Sequence, residues 1–215
     1  MMQRIGLLGG TFNPIHFGHL RLVQEIAEAL DLDEVRFIPS ANPPHKTAPA
    51  VSAQHRSQMV QLAIENNPLF RLDPRELNRA GASYTIDTLI SIRQEIGVKT
   101  SLCLMMGTDA FSKFDTWYRW QEILDYCHII LVQRRINAVN QPPLNKDLEF
   151  FLKSHYSEHA DDLSNQICGL IHMQSITTLD ISSTAIRAAF TQKQVPRYLV
   201  PQIVIDYIVT NKLYK

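Results

Sequence analysis

The sequence predicts a doubly wound α/β fold, in which helices cover both faces of a parallel sheet. Short apolar runs alternate with longer stretches of helical period along most of the 215 residues, and this alternation is typical of right-handed strand-helix-strand units. The composition is that of a folded globular protein, because 45% of the residues are hydrophobic and 20% are charged. Four of the eight glycines lie between Gly6 and Gly18, where the first strand would meet the first helix.

Six strands are predicted from short apolar runs of β-type composition. They span residues 4–8, 35–38, 69–72, 102–106, 129–132 and 170–173. The helices between them are predicted from residues that recur at the helical period. These residues are Leu20, Val23, Ile26, Ala27 and Leu30, then Met59, Leu62 and Ala63, and then Ile86, Leu89, Ile90 and Arg93. Strands and helices in this order indicate a Rossmann-like parallel sheet.

Three polar stretches interrupt the alternation and are predicted to be loops or insertions near a site. They are residues 42–55, which contain three prolines, residues 107–120 and residues 136–147. After the last strand, Ser182 is expected to cap one helix, and a second helix is expected from about Val200 to Lys212. We therefore predict a single domain over residues 1–215, with a core over about 1–180 and a small C-terminal helical cap over about 181–215.

The balance of charge and the cysteine pattern exclude several classes of protein. Lys plus Arg and Asp plus Glu number 21 each, so there is no basic field to hold nucleic acid, and charge does not oppose a homo-oligomer. Three widely spaced cysteines without a C-x-x-C pair argue against a disulfide framework and a zinc ribbon. No apolar run reaches about 18 residues, so no membrane span is expected and a cytoplasmic location is predicted.

The segment after the first strand is the strongest candidate for a site. It reads Gly9-Gly10-Thr11-Phe12-Asn13-Pro14-Ile15-His16-Phe17-Gly18-His19. Glycines at the carboxyl end of a strand let a phosphate approach backbone N–H groups, but the pattern is neither G-x-G-x-x-G nor a P-loop. His16 and His19 would offer imidazole N–H donors on one face of a helix start, and Gly18 would leave space for a nucleotide. Two unrelated capping or core histidines are the alternative.

This segment resembles the signature of the nucleotidyltransferase superfamily that carries H-x-G-H. Further motifs fall in the order and spacing of the bacterial nicotinate-nucleotide adenylyltransferase family, and together they extend over nearly the whole chain. They are Pro43-Pro44-His45-Lys46, Ser83-Tyr84-Thr85-Ile86-Asp87-Thr88, Gly107-Thr108-Asp109, Thr116-Trp117-Tyr118 and Ile181-Ser182-Ser183-Thr184-Ala185-Ile186-Arg187. The resemblance implies transfer of the adenylyl group of ATP to nicotinate mononucleotide in NAD biosynthesis, with nicotinate adenine dinucleotide and pyrophosphate as products.

The resemblance also assigns roles to individual residues. Those implied in catalysis are His16, His19, Arg187 and Lys46, and Arg187 suits the departing pyrophosphate because a guanidinium binds two oxygens at once. Those implied at ATP and its phosphates are Gly9, Gly10, Thr11, Phe12, Gly18, Gly107, Asp109, Arg134, Ser182, Ser183 and Thr184. Without the resemblance, Arg187 would be read as a solvated residue of a capped helix and Lys46 as an ordinary surface lysine. Asp109 could equally cap a short helix over residues 110–113.

Four residues are implied at the nicotinate mononucleotide. Ser83 is expected to cap a helix that begins near Tyr84, so that Tyr84 and Thr85 present N–H groups to a carboxylate. Trp117 and Tyr118 would stack on the pyridine ring, although packing in the core is the alternative for any aromatic residue. Core packing is expected for three neighbours, Phe111, Phe114 and Trp120. The carboxylate reader and the aromatic platform together favour nicotinate over nicotinamide.

Mg²⁺ is expected to be bound mainly through the ATP phosphates, because it retains water and takes few protein ligands. No dedicated metal site in the protein is predicted. His155 and His159 lie four residues apart, but the acidic residues beside them indicate a solvated helix face better than a zinc site. Those acidic residues are Glu158, Asp161 and Asp162.

Two positions depart from the family pattern, and three other functions remain open. Ser40 stands where the family has Asn after the strand-ending proline, and Ile136-Asn137 replace Pro-Gly after Arg134-Arg135.

The alternative functions are transfer to nicotinamide mononucleotide or phosphopantetheine, a nucleotide sensor without turnover, and a fragment of a tRNA ligase. The nicotinate motifs argue against the first, the full set of His, Lys and Arg against the second, and the neutral charge against the third.

Overall fold

The computed structural model describes residues 2–41, 49–79, 81–134, 143–177 and 179–215. Its strands form one parallel sheet with the order β3-β2-β1-β4-β5-β7-β6, which confirms the predicted fold class. They are β1 (Gln3–Gly10), β2 (Glu34–Pro39), β3 (Phe70–Leu72), β4 (Thr100–Gly107), β5 (His128–Arg134), β6 (Tyr156–Ser157) and β7 (Ile171–Ile176). The strand order reverses at β1, and open α/β sheets bind ligands at the carboxyl ends of strands beside such a reversal.

Seven α-helices alternate with these strands or follow them within the described residues. They are α1 (Phe17–Ala29), α2 (Ala53–Ile64), α3 (Thr85–Ile96), α4 (Thr108–Phe111), α5 (Lys146–His155), α6 (Ser183–Thr191) and α7 (Gln202–Thr210). Short 3₁₀ helices cover Phe114–Thr116, Trp120–Asp125 and Ala160–Ser164. Among the helices of the described ranges, none has the length and hydrophobicity that crossing a bilayer requires.

The chain divides into two compact units. The first unit comprises Met1–Leu8, Glu25–Val35 and Tyr84–Thr177, and the second comprises Gly9–Gln24, Arg36–Ser83 and Thr178–Lys215. The predicted division into a core over about 1–180 and a helical part beyond it stays a prediction.

The core of the first unit is built on β4 and β5. Both strands are apolar through their central residues, as is typical of parallel strands buried on both faces, and their ladder places Leu104 opposite Ile129 and Met106 opposite Leu131. Helix α3 adds apolar residues at the helical period, of which Leu89 is 1% exposed. All three cysteines, Cys103, Cys127 and Cys168, are free thiols.

The core of the second unit is aromatic at its centre. The ring of Phe37 on β2 lies between Phe12 and Phe70, with centroid distances of 6.0 and 5.2 Å. Helix α2 contacts β3 and α7, and the buried apolar residues of the two helices are Met59, Val60, Ile64, Val204, Ile205 and Ile208. This core supports the segment that leaves β1.

One prediction about the last part of the first unit is wrong, and one predicted loop or insertion, residues 136–147, ends earlier than expected. Helix α5 begins at Lys146, so the last two residues of that stretch are helical, and Asn145 caps the helix by accepting from the Leu148 N–H at 2.9 Å. Glu158, Asp161 and Asp162 do not share a helix face, since β6 ends the helical stretch and pairs with β7. The Ser157 hydroxyl donates to Asp162 at 2.5 Å and fixes this turn. The stretch 107–120 likewise contains α4 and a 3₁₀ helix.

Candidate active site

The segment between β1 and α1 makes a tight turn in the second unit. Phe12 has a φ of 47°, in the left-handed region that a bulky residue rarely adopts, and the Asn13-Pro14 peptide bond is cis. The Phe12 side chain is buried, and its ring meets the ring of His19 edge-on at 5.3 Å. A Cβ on Gly10 would lie 3.0 Å from the Phe12 ring, so glycine there makes room for that ring.

His16 and His19 lie together at the start of α1. Their rings stack with centroids 3.7 Å apart and planes inclined by 28°, as their spacing of one helical turn predicts. A Cβ on Gly18 would lie 3.0 Å from two atoms of the His16 ring. In the structure the space at Gly18 is therefore taken by His16, whereas the predicted approach of a nucleotide to Gly18 stays a prediction.

Hydrogen bonding and burial define the protonation of this pair. The backbone N–H of His16 donates to Nδ1 of His19 at 3.3 Å, so the proton of a neutral His19 is on Nε2. Burial lowers the pKa of His16 to about 4 and that of His19 to about 3, where the neighbouring His16 lowers it further. Both imidazoles are therefore neutral at pH 7. Nδ1 of His16 is buried and has no hydrogen-bond partner among the described residues.

Arg56 supports this turn and was missed by the sequence analysis. It lies on α2, is 1% exposed, and donates to the carbonyl of Thr11 at 2.5 Å and to that of Ser40 at 2.7 Å. The guanidinium thus joins the segments that follow β1 and β2, and burial lowers its pKa. Its position at helical spacing from buried Met59 and Val60 was the available signal, because a cation on an apolar helix face needs partners.

Helix α6 is attached to the same turn through two of its side chains. Ser182 caps the helix as predicted, accepting from the Ala185 N–H at 3.1 Å. The Ser183 hydroxyl donates to the carbonyl of Pro14 at 2.9 Å, and Arg187 donates to that of Asn13 at 2.8 Å. A second Arg187 nitrogen donates to the Thr184 hydroxyl at 3.2 Å. The structure therefore brings the H-x-G-H segment and the predicted phosphate-binding helix together within the second unit.

The residues predicted at nicotinate lie in the first unit, and the predicted helix cap is wrong. Helix α3 begins at Thr85 with Tyr84 in the N-cap position. Ser83 is therefore one residue too early to cap, and its buried hydroxyl has no partner within the described part of the chain. Thr85 occupies the first turn, where backbone N–H groups lack helical partners.

Three aromatic residues of this group contact one another or the core. Tyr84 packs against Tyr118, with ring centroids 4.7 Å apart, and Tyr118 is 54% exposed. Trp117 is half-buried and lies 5.5 Å from Phe114. Core packing is confirmed for Phe111 and Phe114, which are 1% and 0% exposed, and the Trp120 ring packs against Phe114 and Phe151.

The remaining predicted residues lie at strand ends or outside the described ranges. Gly107 ends β4 and is the N-cap of α4, so Asp109 is an exposed first-turn residue and the alternative that it caps this helix is wrong. Arg134 ends β5, and its side chain is outside the described residues, as are Ile136 and Asn137. Lys46 and the rest of the Pro43-Pro44-His45-Lys46 motif also lie outside them.

Comparison with known proteins places this chain and its fold in a class. Residues 7–189 match the family described as cytidylyltransferase-like. The fold is also that of the Plasmodium falciparum nicotinic acid mononucleotide adenylyltransferase complexed with NaAD, with a TM-score of 0.71 over 99% of this chain and 97% of that one. Because these two chains are only 17% identical, that likeness shows the fold alone.

Full-length relatives narrow the class. The chain is 43% identical over 211 residues to the probable nicotinate-nucleotide adenylyltransferase of Hydrogenovibrio crunogenus, covering 98% of this chain and 97% of that protein. It is 42% identical over 215 residues to the protein of the same name from Pseudomonas aeruginosa, covering 100% of this chain and 99% of that protein. The chain therefore belongs to the cytidylyltransferase-like family and, within it, to the nicotinate-nucleotide adenylyltransferase family, as its motifs predict.

Proposed function

We propose that this protein transfers the adenylyl group of ATP to nicotinate mononucleotide, forming nicotinate adenine dinucleotide and pyrophosphate in NAD biosynthesis. The observation that carries the proposal is the stacked, neutral pair of His16 and His19 at the start of α1, in a chain whose full-length relatives are named for this activity. The histidine pair supports binding of phosphate, and the names of the relatives support nicotinate mononucleotide as the acceptor.

The reaction needs alignment more than it needs a base. An oxygen of the 5′-phosphate of nicotinate mononucleotide attacks the α-phosphorus of ATP. The bond between that phosphorus and the oxygen that bridges the α- and β-phosphates breaks, and its electron pair leaves with pyrophosphate. The second pKa of a phosphate monoester is about 6, so the acceptor is already largely ionised at neutral pH. The protein has to hold two anions in line and stabilise the charge that develops between them.

The H-x-G-H pair fits this task because its imidazoles are neutral donors. Nε2 of His19 carries the proton and is available to the α-phosphate, since Nδ1 is occupied by the His16 N–H. Nδ1 of His16 has no protein partner in the described ranges, so we assign it a partner on the substrate. Donors held in place by stacking and by the Phe12 ring cost little reorganisation when the charge develops.

Arg187 and the start of α6 would bind the departing pyrophosphate. A guanidinium has five N–H donors, and two of its nitrogens already bind the Asn13 carbonyl and the Thr184 hydroxyl. The remaining donors, together with the backbone N–H groups of the first helical turn after Ser182, suit phosphate oxygens. We also assign Gly9, Gly10, Thr11, Gly107 and Asp109 to ATP, because each lies at or just after the carboxyl end of β1 or β4.

The acceptor would be bound by the first turn of α3 and the aromatic residues of the first unit. The N–H groups near Tyr84 and Thr85 suit the nicotinate carboxylate, because the positive end of the helix dipole lies there. Trp117 and the exposed Tyr118 ring offer flat faces to an electron-poor pyridine. This arrangement favours the acid over the amide.

Mg²⁺ is proposed as part of the nucleotide substrate. The reason is chemical, because Mg²⁺ retains water and takes few protein ligands besides substrate phosphates. Bound in that way, Mg²⁺ would neutralise charge on the phosphates while His and Arg side chains orient them.

The test is pyrophosphate release from Mg·ATP with nicotinate mononucleotide, nicotinamide mononucleotide and phosphopantetheine offered separately. We expect release with the nicotinate substrate at a kcat/KM at least about tenfold above that with the amide, since a carboxylate bound by N–H groups contributes more than about 1.4 kcal/mol. Release with phosphopantetheine alone would reassign the acceptor. ATP binding by calorimetry without release from any acceptor would indicate a nucleotide sensor.

A further inference from the structure

Tyr214 reaches the turn after β1 from the segment that follows α7. Helix α7 ends in a Schellman motif, in which Lys212 N–H donates to the Val209 carbonyl at 3.1 Å and Leu213 N–H to the Ile208 carbonyl at 3.0 Å. Lys212 takes the left-handed conformation that this motif requires, with a φ of 55°. The motif reverses the chain and directs Tyr214 back over the second unit.

The Tyr214 side chain makes two contacts there. Its hydroxyl donates to Oδ1 of Asn13 at 2.6 Å, and its ring stacks on Phe190 of α6 with centroids 6.2 Å apart. Tyr214 itself has a φ of 61°. Left-handed backbone at an aromatic residue is unfavourable and persists only where the surroundings fix it, which is common at functional sites.

Asn13 joins Tyr214 to the residues assigned to phosphate. Its side-chain oxygen accepts from Tyr214, while its main-chain carbonyl accepts from Arg187. Asn13 follows Phe12, whose ring contacts His19. A displacement of Asn13 would therefore move both the guanidinium that we assign to pyrophosphate and the support of the histidine pair.

Burial keeps the Tyr214 hydroxyl protonated and therefore a donor. Burial raises the pKa of Tyr214 above its ordinary value, although Arg187 and Arg56 both lower it. The phenol is consequently protonated at neutral pH, and its single hydrogen goes to Asn13. Loss of that hydrogen bond would leave Oδ1 of Asn13 without this donor.

We propose that Tyr214 is a positioning residue for adenylyl transfer, which acts through Asn13 and fixes the turn that carries the histidine pair and the Arg187 contact. This proposal rests on the proposed function, because adenylyl transfer is the activity that the test measures. The effect of Tyr214 on that activity is argued from its hydrogen bond to Asn13. Tyr214 contacts no reacting atom in this proposal, so its effect is on geometry.

The first test is Tyr214→Phe, with Tyr207→Phe as the matched control. Both variants delete one hydroxyl and keep the ring, and Tyr207 bonds Nδ1 of His55, a residue of α2 and not of the turn, at a similar 2.8 Å. We expect Tyr214→Phe to lower kcat about five- to tenfold, the worth of one hydrogen bond, with little change in KM for nicotinate mononucleotide. Tyr207→Phe should leave both constants unchanged, and Tm should fall similarly in the two.

The second test is a double-mutant cycle with Asn13→Ala. If Tyr214 acts through Asn13, Tyr214→Phe will have no further effect on kcat in the Asn13→Ala background. An equal fall in both backgrounds, or a fall no larger than that of Tyr207→Phe, would overturn the proposal. If the wild type releases no pyrophosphate with any acceptor, the proposed function fails, and the same comparisons are made on the Kd for ATP, which Tyr214→Phe should raise about five- to tenfold.

Discussion

The backbone N–H of His16 donates to Nδ1 of His19, and the two rings stack with centroids 3.7 Å apart. This contact leaves the proton of a neutral His19 on Nε2. The pair is thus set before any substrate binds, and its removal should affect the rate more than the affinity.

We expect His19→Ala and His16→Ala to lower kcat by about 10²- to 10³-fold, as loss of a donor to a developing charge does elsewhere. The Kd for Mg·ATP, measured by calorimetry, should change less than about threefold. His159→Ala is the control, because that side chain is exposed and lies outside the second unit. Equal losses of binding in both variants, with kcat intact, would contradict the assignment.

Acid should destabilise the protein through the same pair. The unfolded chain binds protons on histidine near pH 6.5, whereas the folded pKa values are about 4 and about 3. The stabilisation is therefore complete above pH 6.5 and is lost as pH falls through the folded values, at up to about 1.4 kcal/mol per pH unit for each histidine. Urea unfolding between pH 7.5 and 4.5 should show a shallower slope in His16→Asn than in the wild type or in His159→Asn. An unchanged slope in His16→Asn would argue against the buried neutral state.

Arg56→Met should reduce the free energy of unfolding by about 3 kcal/mol or more, because the carbonyls of Thr11 and Ser40 lose a buried charged donor. Activity should fall as well, since these carbonyls belong to the turns after β1 and β2. Arg197→Met, at an exposed position of the same unit, should change stability by no more than about 0.5 kcal/mol. Chemical denaturation measures both variants, and similar values for the two would exclude the supporting role.

Gly18→Ala should displace the His16 ring, because the new Cβ would lie 3.0 Å from Cε1 and Nδ1 of that ring. The ring has little room to give, being 6% exposed and stacked on His19. We expect kcat to fall about tenfold or more, and Gly18→Ser to cause a larger fall. Retention of wild-type kcat in both variants would show that the stacked geometry is not needed for turnover.

The fold follows from the sequence because its strands and helices have strong and different apolar periods. The run at residues 102–106 predicts β4 because a parallel strand buried on both faces has no polar alternation. Helix α5 was missed because it has only ten residues and follows a polar stretch that contains prolines. Strand β6 was missed because two residues are too few to show an apolar pattern.

Residues of the candidate site could be predicted only where they belong to a short motif in the sequence. His16, Gly18, His19 and Ser182 are neighbours in motifs, so their spacing alone places them on helix starts. Arg56 and Tyr214 reach the same turn from 45 and 201 positions away, and no local pattern records such a contact. Their partners are backbone carbonyls, which every residue has, and one asparagine side chain. The sequence around these partners therefore does not indicate the contacts.

The burial of Arg56 also bears on how the protein responds to ionic strength. Mobile ions screen exposed charges over about 8 to 10 Å in physiological salt, but they cannot approach a guanidinium that is 1% exposed and covered by carbonyl groups. The electrostatic attraction of Arg56 for an anion near the turn after β1 is therefore weakened less by added salt than that of a surface lysine. Attraction of a polyphosphate to this turn should accordingly depend less on salt than attraction built from solvent-exposed cations.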